Sequence, residues 1–143
     1  MMRLEAVSVD LMTRLRQASP SQRRAAVLAA CGYAIESAKV HDSVVLSVLG
    51  ELSLGRDVLA SKIEEIKMLA EQADEQYFDL HDAGDSSGDN AYLFAFSRAR
   101  ALSALLFAVE NESLHSSSES IYEAVSAVDD PSAITVRVVS ALV

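Results

Sequence analysis

The chain has 143 residues, half of them hydrophobic and 23% charged, which fits one folded domain and excludes a disordered chain. Five Gly and 2 Pro are little punctuation for an all-β sandwich, and the single cysteine, Cys31, excludes an internal disulfide and any multi-Cys zinc site. The net charge is −9 and unevenly placed: residues 1–62 carry a net +2, residues 63–136 a net −12. Phosphates need Lys and Arg, so a field of that sign disfavours nucleic acid and anionic membrane as partners. It attracts a basic protein and speeds their encounter.

No uninterrupted apolar run approaches the roughly 18 residues that span a bilayer. Met1-Met2-Arg3-Leu4-Glu5 lacks the apolar core of a signal peptide. Together these lead to the expectation of a cytoplasmic protein.

Leu4, Val7, Leu11 and Leu15 recur at helical spacing and predict a first helix to about Arg16. Ser19-Pro20-Ser21-Gln22 combines an N-cap, a Pro at the first helical position and a capping-box partner. The helix that follows is expected to reach Ala38, with one small face made by Ala25, Ala26, Leu28, Ala29, Ala30 and Ala34. Gly32 on it reads as a close-contact point rather than a break. His41-Asp42-Ser43 opens a third segment with a buried stripe of Val44, Val45, Val48, Leu49 and Leu52, ended by Leu54-Gly55 with Gly55 as a left-handed cap.

The fourth segment has the clearest periodicity. Leu59, Ile63, Ile66, Ala70, Ala73, Tyr77 and Leu80 step by three or four along one face. Such a helix has about 22 residues and is roughly 33 Å long. His81 to Asn90 (HDAGDSSGDN) reads as the one long loop. A broadly apolar, central fifth helix is expected from Ala91 to Val109, through Leu93, Phe94, Phe96, Ala99, Leu102, Leu105 and Leu106. Glu110 to His115 then connects to a capping box at Ser116-Ser117-Ser118-Glu119 and a sixth helix carrying Ile121, Ala124, Val125 and Val128. Asp130-Pro131 favours a seventh helix, although Ile134 to Val139 is β-branched. A lone strand would have no pairing partner, so helix is preferred. The reading is an all-α single domain over 1–143, a bundle of six to seven helices built from antiparallel helical hairpins.

Motifs that carry chemistry are weak. Gly84-Asp85-Ser86-Ser87-Gly88 matches the nucleophile elbow, but it follows a helix rather than a strand. Asp82, Asp85 and Asp89 have the wrong spacing for a calcium loop. Glu112 and His115 supply one E-x-x-H where a di-iron site needs two plus further carboxylates. His41, His81 and His115 sit near predicted helix ends, where the macrodipole accounts for them; His81, beside Asp82, is the best placed for function. Cys31 reads as a buried thiol. Arg14, Arg16, Arg23 and Arg24 form a small basic cluster without interleaved aromatics, a weak case for nucleic acid, free to pair with the acidic helices of the same molecule or of a second copy. There is no Walker loop and no dinucleotide fingerprint. No catalytic set is assigned, and no cofactor or metal is expected.

With no catalytic set and a polarised acidic half, binding becomes the leading class. The run Ala91-Tyr92-Leu93-Phe94-Ala95-Phe96-Ser97-Arg98-Ala99-Arg100-Ala101-Leu102, the alanine-rich stretch Ala25 to Ala34 and Ile121-Tyr122-Glu123-Ala124 carry a resemblance. In these the chain resembles the small acidic all-α immunity proteins of bacterial polymorphic toxin systems. The resemblance implies a non-catalytic protein that docks an acidic surface on a cationic toxin domain. On that expectation Glu64, Glu71, Asp74, Glu75, Asp79, Asp82, Asp85 and Asp89 supply the charge. Phe78, outside the apolar stripe, supplies the aromatic anchor. Three alternatives remain: a helical homodimer, suggested by the apolar fifth helix and Val136-Val138-Val139-Leu142-Val143, an enzyme using the loop acids or His81, and an effector chaperone.

Overall fold

Ser8 divides the N-terminal helix in two. In the computed structural model, which describes residues 2–82 and 91–143, α1 spans Arg3–Val7 and α2 spans Val9–Gln17. Ser8 is extended; its backbone N–H donates to the Leu4 carbonyl and its Oγ accepts from Leu11 N at 3.1 Å. One residue thus closes one helix and caps the next. The chain turns there, so Leu4, Leu11, Met12 and Leu15 are buried while Val7 is left exposed, unlike the continuous stripe expected.

α3 (Pro20–Ser37) begins at the predicted capping box: Gln22 N donates to Ser19 Oγ at 3.2 Å and Ser19 N donates to Gln22 Oε1 at 2.8 Å. Its buried face is Ala26, Val27, Ala30, Cys31, Ala34 and Ile35, with Ala25 outside it. Gly32 lies inside the helix as expected, but a Cβ there would meet nothing within 4 Å, so it is not a close-contact point. α4 (Ser43–Ser53) buries Val45 and Val48, and Gly55 follows it at φ +70 as the left-handed cap.

α5 (Ala60–Asp82) buries Ile66, Ala70 and Ala73 and runs on through His81 and Asp82, which were expected in the loop. Leu59 precedes the helix and is exposed. α6 (Ala91–Ala108) packs against α3, α5 and α7, the central position expected of it. Its 18 residues have a mean hydropathy of 1.2, enough by length and composition to cross a bilayer, although no uninterrupted apolar run does so in sequence. Within the bundle, Arg98 reaches Asp42, and Arg100 reaches Asp74 and Glu123. Leu93 and Phe94 are exposed rather than stripe residues, because Tyr92 and Phe96 are the ones turned to α5.

α7 (Leu114–Ser126) starts two residues before the predicted box. Ser113 is the N-cap and Ser116 the reciprocal partner, its hydroxyl filling the role expected of Glu119. Ser116 to Ser120 are consequently buried helical residues. α8 (Pro131–Ala141) is helical as preferred, capped by Asp130, whose carboxylate accepts from Ser132 N at 3.1 Å. The described residues thus form an all-α bundle of eight helices, one more than the upper expectation because of the break at Ser8. Residue pairing is antiparallel in α5–α6 (Tyr77 with Phe96, Asp74 with Arg100) and in α6–α7 (Arg100 with Glu123, Ala104 with Ser120). One apolar core runs through all of α1 to α8.

Candidate functional site

The period of α5 puts its charge on one side. At 3.6 residues per turn, Glu64, Met68, Glu71, Glu75, Phe78 and Asp82 lie within about 80° of its circumference. All six are exposed, and Met68 and Phe78 are each 58% accessible. The opposite face holds Ile66, Ala70 and Ala73 in the core, which fixes the rotation of the helix. The acidic stripe is therefore the outer side of a well-seated element.

The predicted charges are not equivalent. Glu71, Glu75 and Asp79 are exposed and have no cationic partner among the described residues. Glu64 pairs with Lys67 at 3.3 Å, an exposed contact that neutralises little. Asp82 lies 3.9 Å from His81. Asp74 is held by Arg100 at 3.0 Å and belongs to the α5–α6 interface. Asp85, Asp89 and the Gly84-Asp85-Ser86-Ser87-Gly88 match lie outside the described residues. Phe78 is open to solvent as expected, while Tyr77 is half-buried, its ring 5.3 Å from Phe96 and 6.4 Å from Tyr92. His81 joins this cluster, 5.7 Å from Tyr77 and 5.9 Å from Tyr92.

Met68 was not singled out in sequence. It borders a shallow groove of about 330 Å³ between the start of α4 and α5, lined also by Val44, Glu65, Leu69 and Gln72. Methionine adapts to varied apolar partners, so the stripe offers two apolar points, Met68 and Phe78, among carboxylates. The signal was available: position 68 falls between Glu64 and Glu71 on the same face.

A second set of charges is internal. Glu123 and Glu119 on α7 are buried, and Arg3 on α1 donates to both, through Nη2 to Glu123 at 3.0 Å and Nε to Glu119 at 2.9 Å. Arg100 donates to the other Glu123 oxygen at 2.9 Å. The chain Arg3–Glu123–Arg100–Asp74 therefore ties α1, α7, α6 and α5 together. The hydrogen bond to Glu119 is the largest cause raising the Arg3 pKa, so this guanidinium stays charged. Arg3 also lies over the Tyr122 ring at 4.3 Å. Three of the four members of the basic cluster pair within the chain: Arg14 with Asp10, Arg16 with Glu5 and Arg23 with Glu112. Glu112 is thereby engaged by Arg23, and no group of three or more His, Cys, Asp or Glu able to hold a metal ion occurs among the described residues.

Comparison with protein-family models, with characterised proteins and with solved structures finds no match to this chain.

Proposed function

We propose that the chain is a non-catalytic binding protein of the immunity class, neutralising a basic toxin domain through the exposed face of α5. The observation that supports this is the stripe Glu64–Met68–Glu71–Glu75–Phe78–Asp82. It concentrates negative charge that the chain's own cations leave largely free, around two exposed apolar side chains. Carboxylates there speed encounter with a cationic partner, and the apolar points add affinity once the surfaces meet. The Arg3–Glu123–Arg100–Asp74 chain supports the reading by anchoring α5 at Asp74, beside Glu71 and Glu75, which limits the ordering cost of docking on that part of the face.

The test is affinity capture from the source organism's lysate with the wild-type chain and with a variant carrying Glu71→Lys, Glu75→Lys, Asp79→Lys and Asp82→Lys. A basic toxin-domain protein retained by the wild type, lost as salt rises and lost in the variant is the expected result. Equal retention by both removes the electrostatic mechanism. With the partner purified, Phe78→Ala is expected to cost about 2 kcal/mol of binding, roughly thirtyfold in Kd, with little change in association rate. Recovery of only the chain itself favours the homodimer instead.

A further inference from the structure

Away from the α5 stripe, a cleft of about 420 Å³ opens where α3, the α4–α5 connection and the α6–α7 connection meet. That volume is in the range of small-molecule sites. Leu28, Leu52, Val58 and Phe107, all half-buried, give it an apolar wall. Arg24 and Arg56 also line it.

Among the described residues, eight of the twelve Lys and Arg side chains pair with carboxylates. A ninth, Arg137, lies over the Tyr33 ring at 4.9 Å. Of the other three, Lys39 is exposed just after α3, and Arg24 and Arg56 are the guanidinium groups left with neither a carboxylate nor a ring among the described residues, in a chain that has 21 acids and only 12 Lys and Arg. Both border the same cleft. Glu112, a third charged group there, is engaged by Arg23 at 2.6 Å. Asp57 and Glu110 are exposed at the rim, and their charge disfavours a polyanion such as a nucleotide or polyphosphate.

We infer that this cleft is a binding site for a small amphipathic monoanion, a carboxylate or sulfonate on an apolar body. The apolar part would lie on Leu28, Val58 and Phe107. The anionic head would take the guanidinium groups of Arg24 and Arg56, whose planar donors suit such oxygens. The site is independent of the α5 stripe, so either can fail without the other.

The probe is 8-anilinonaphthalene-1-sulfonate, followed by fluorescence on the intact chain, beside its neutral relative N-phenyl-1-naphthylamine. One saturable site for the sulfonate is expected, displaced by decanoate at about tenfold or more lower concentration than by decanol, and not by inorganic phosphate. Arg24→Gln with Arg56→Gln, both exposed and with no side-chain ion pair or ring contact among the described residues, is expected to weaken the sulfonate about tenfold or more while leaving the neutral dye unchanged. Leu28→Trp, which fills the cleft from its wall, is expected to abolish both. A sulfonate affinity equal in the wild type and the double arginine variant overturns the proposal. So does undiminished binding in Leu28→Trp with its circular dichroism intact, which would place the dye elsewhere, or displacement by decanol as effective as by decanoate.

Discussion

Cys31 sits where three helices meet. Ser120 Oγ donates to the Ala104 carbonyl at 2.7 Å, which leaves the Cys31 thiol to donate to Ser120 at 3.3 Å. Complete burial is the largest cause pushing the thiol up, to about 12 from its ordinary 9.0. A group whose folded pKa is raised gives stability that is complete below the unfolded value and lost as pH rises toward the folded one. The window here is therefore pH 9 to about 12. Between pH 9 and 10.5 the wild type is expected to lose about 1.6 kcal/mol of unfolding free energy more than Cys31→Ala does, the slope rising toward about 1.4 kcal/mol per pH unit above the unfolded value. Urea titrations of both at three pH values measure it, and parallel losses would mean that other groups set the alkaline limit. The buried thiol was legible in sequence from its setting among alanines. The buried acids were not. Glu119 and Glu123 look in sequence like any other helix carboxylates, and their partner Arg3 lies 116 and 120 positions away. Asp74 was placed on the binding face for the same reason: the spacing gives its angle on α5 but says nothing of Arg100 on the neighbouring helix.

Helix ends were the most readable elements, because capping depends on residues three or four apart. Ser19 and Asp130 cap through their side-chain oxygens, and Gly55, lacking a Cβ, takes the left-handed conformation. Where the reading moved, a second local solution competed: Ser113 with Ser116 offered a box three residues ahead of Ser116 with Glu119, and Arg3 used Glu119 elsewhere. The C-termini of α3 and α4 make a natural comparison. Both close with paired bonds, Val40 N to Ile35 O at 3.0 Å and Arg56 N to Glu51 O at 2.9 Å. In each the residue after the cap has positive φ, Gly55 at 70° and Lys39 at 57°. Glycine takes that conformation freely; lysine holds its Cβ against the carbonyl. Lys39→Gly is therefore expected to stabilise the fold by about 1 kcal/mol and Gly55→Ala to destabilise it by a similar amount. Gly32→Ala, with open space at its Cβ, is expected to add about 0.5–1 kcal/mol. Denaturant midpoints of the three variants decide this, and an unstable Lys39→Gly would mean that the lysine side chain has a partner worth more than the strain it carries.

Across the whole molecule, stability and the proposed binding face lie at different places. Where α3, α6 and α7 meet, Cys31, Ala104 and Ser120 are fully buried and joined by hydrogen bonds, and opening there requires breaking the common core. Beyond Ala73, the last turns of α5 have no fully buried residue. What anchors them is the ring cluster of Tyr77 with Phe96, Tyr92 and His81. Aromatic pairs of this kind contribute about 0.5–1.5 kcal/mol each beyond burial, so the cluster is enough to hold two turns but not to make them part of the global unit. Amides of Phe78 to Asp82 are then expected to exchange hydrogen faster than those near Ser120, through local opening rather than global unfolding. Tyr77→Ala should speed the α5 amides about tenfold or more while leaving the Ser120 region unchanged. Phe78 and Asp82 lie on those turns, so the same variant should weaken capture of a basic partner, although Tyr77 itself is half-buried against α6. Exchange that accelerates equally everywhere would instead make the ring cluster part of the global core. Unaltered exchange at Phe78 to Asp82 would mean that the packing of Leu80, half-buried on the same turns, is their anchor.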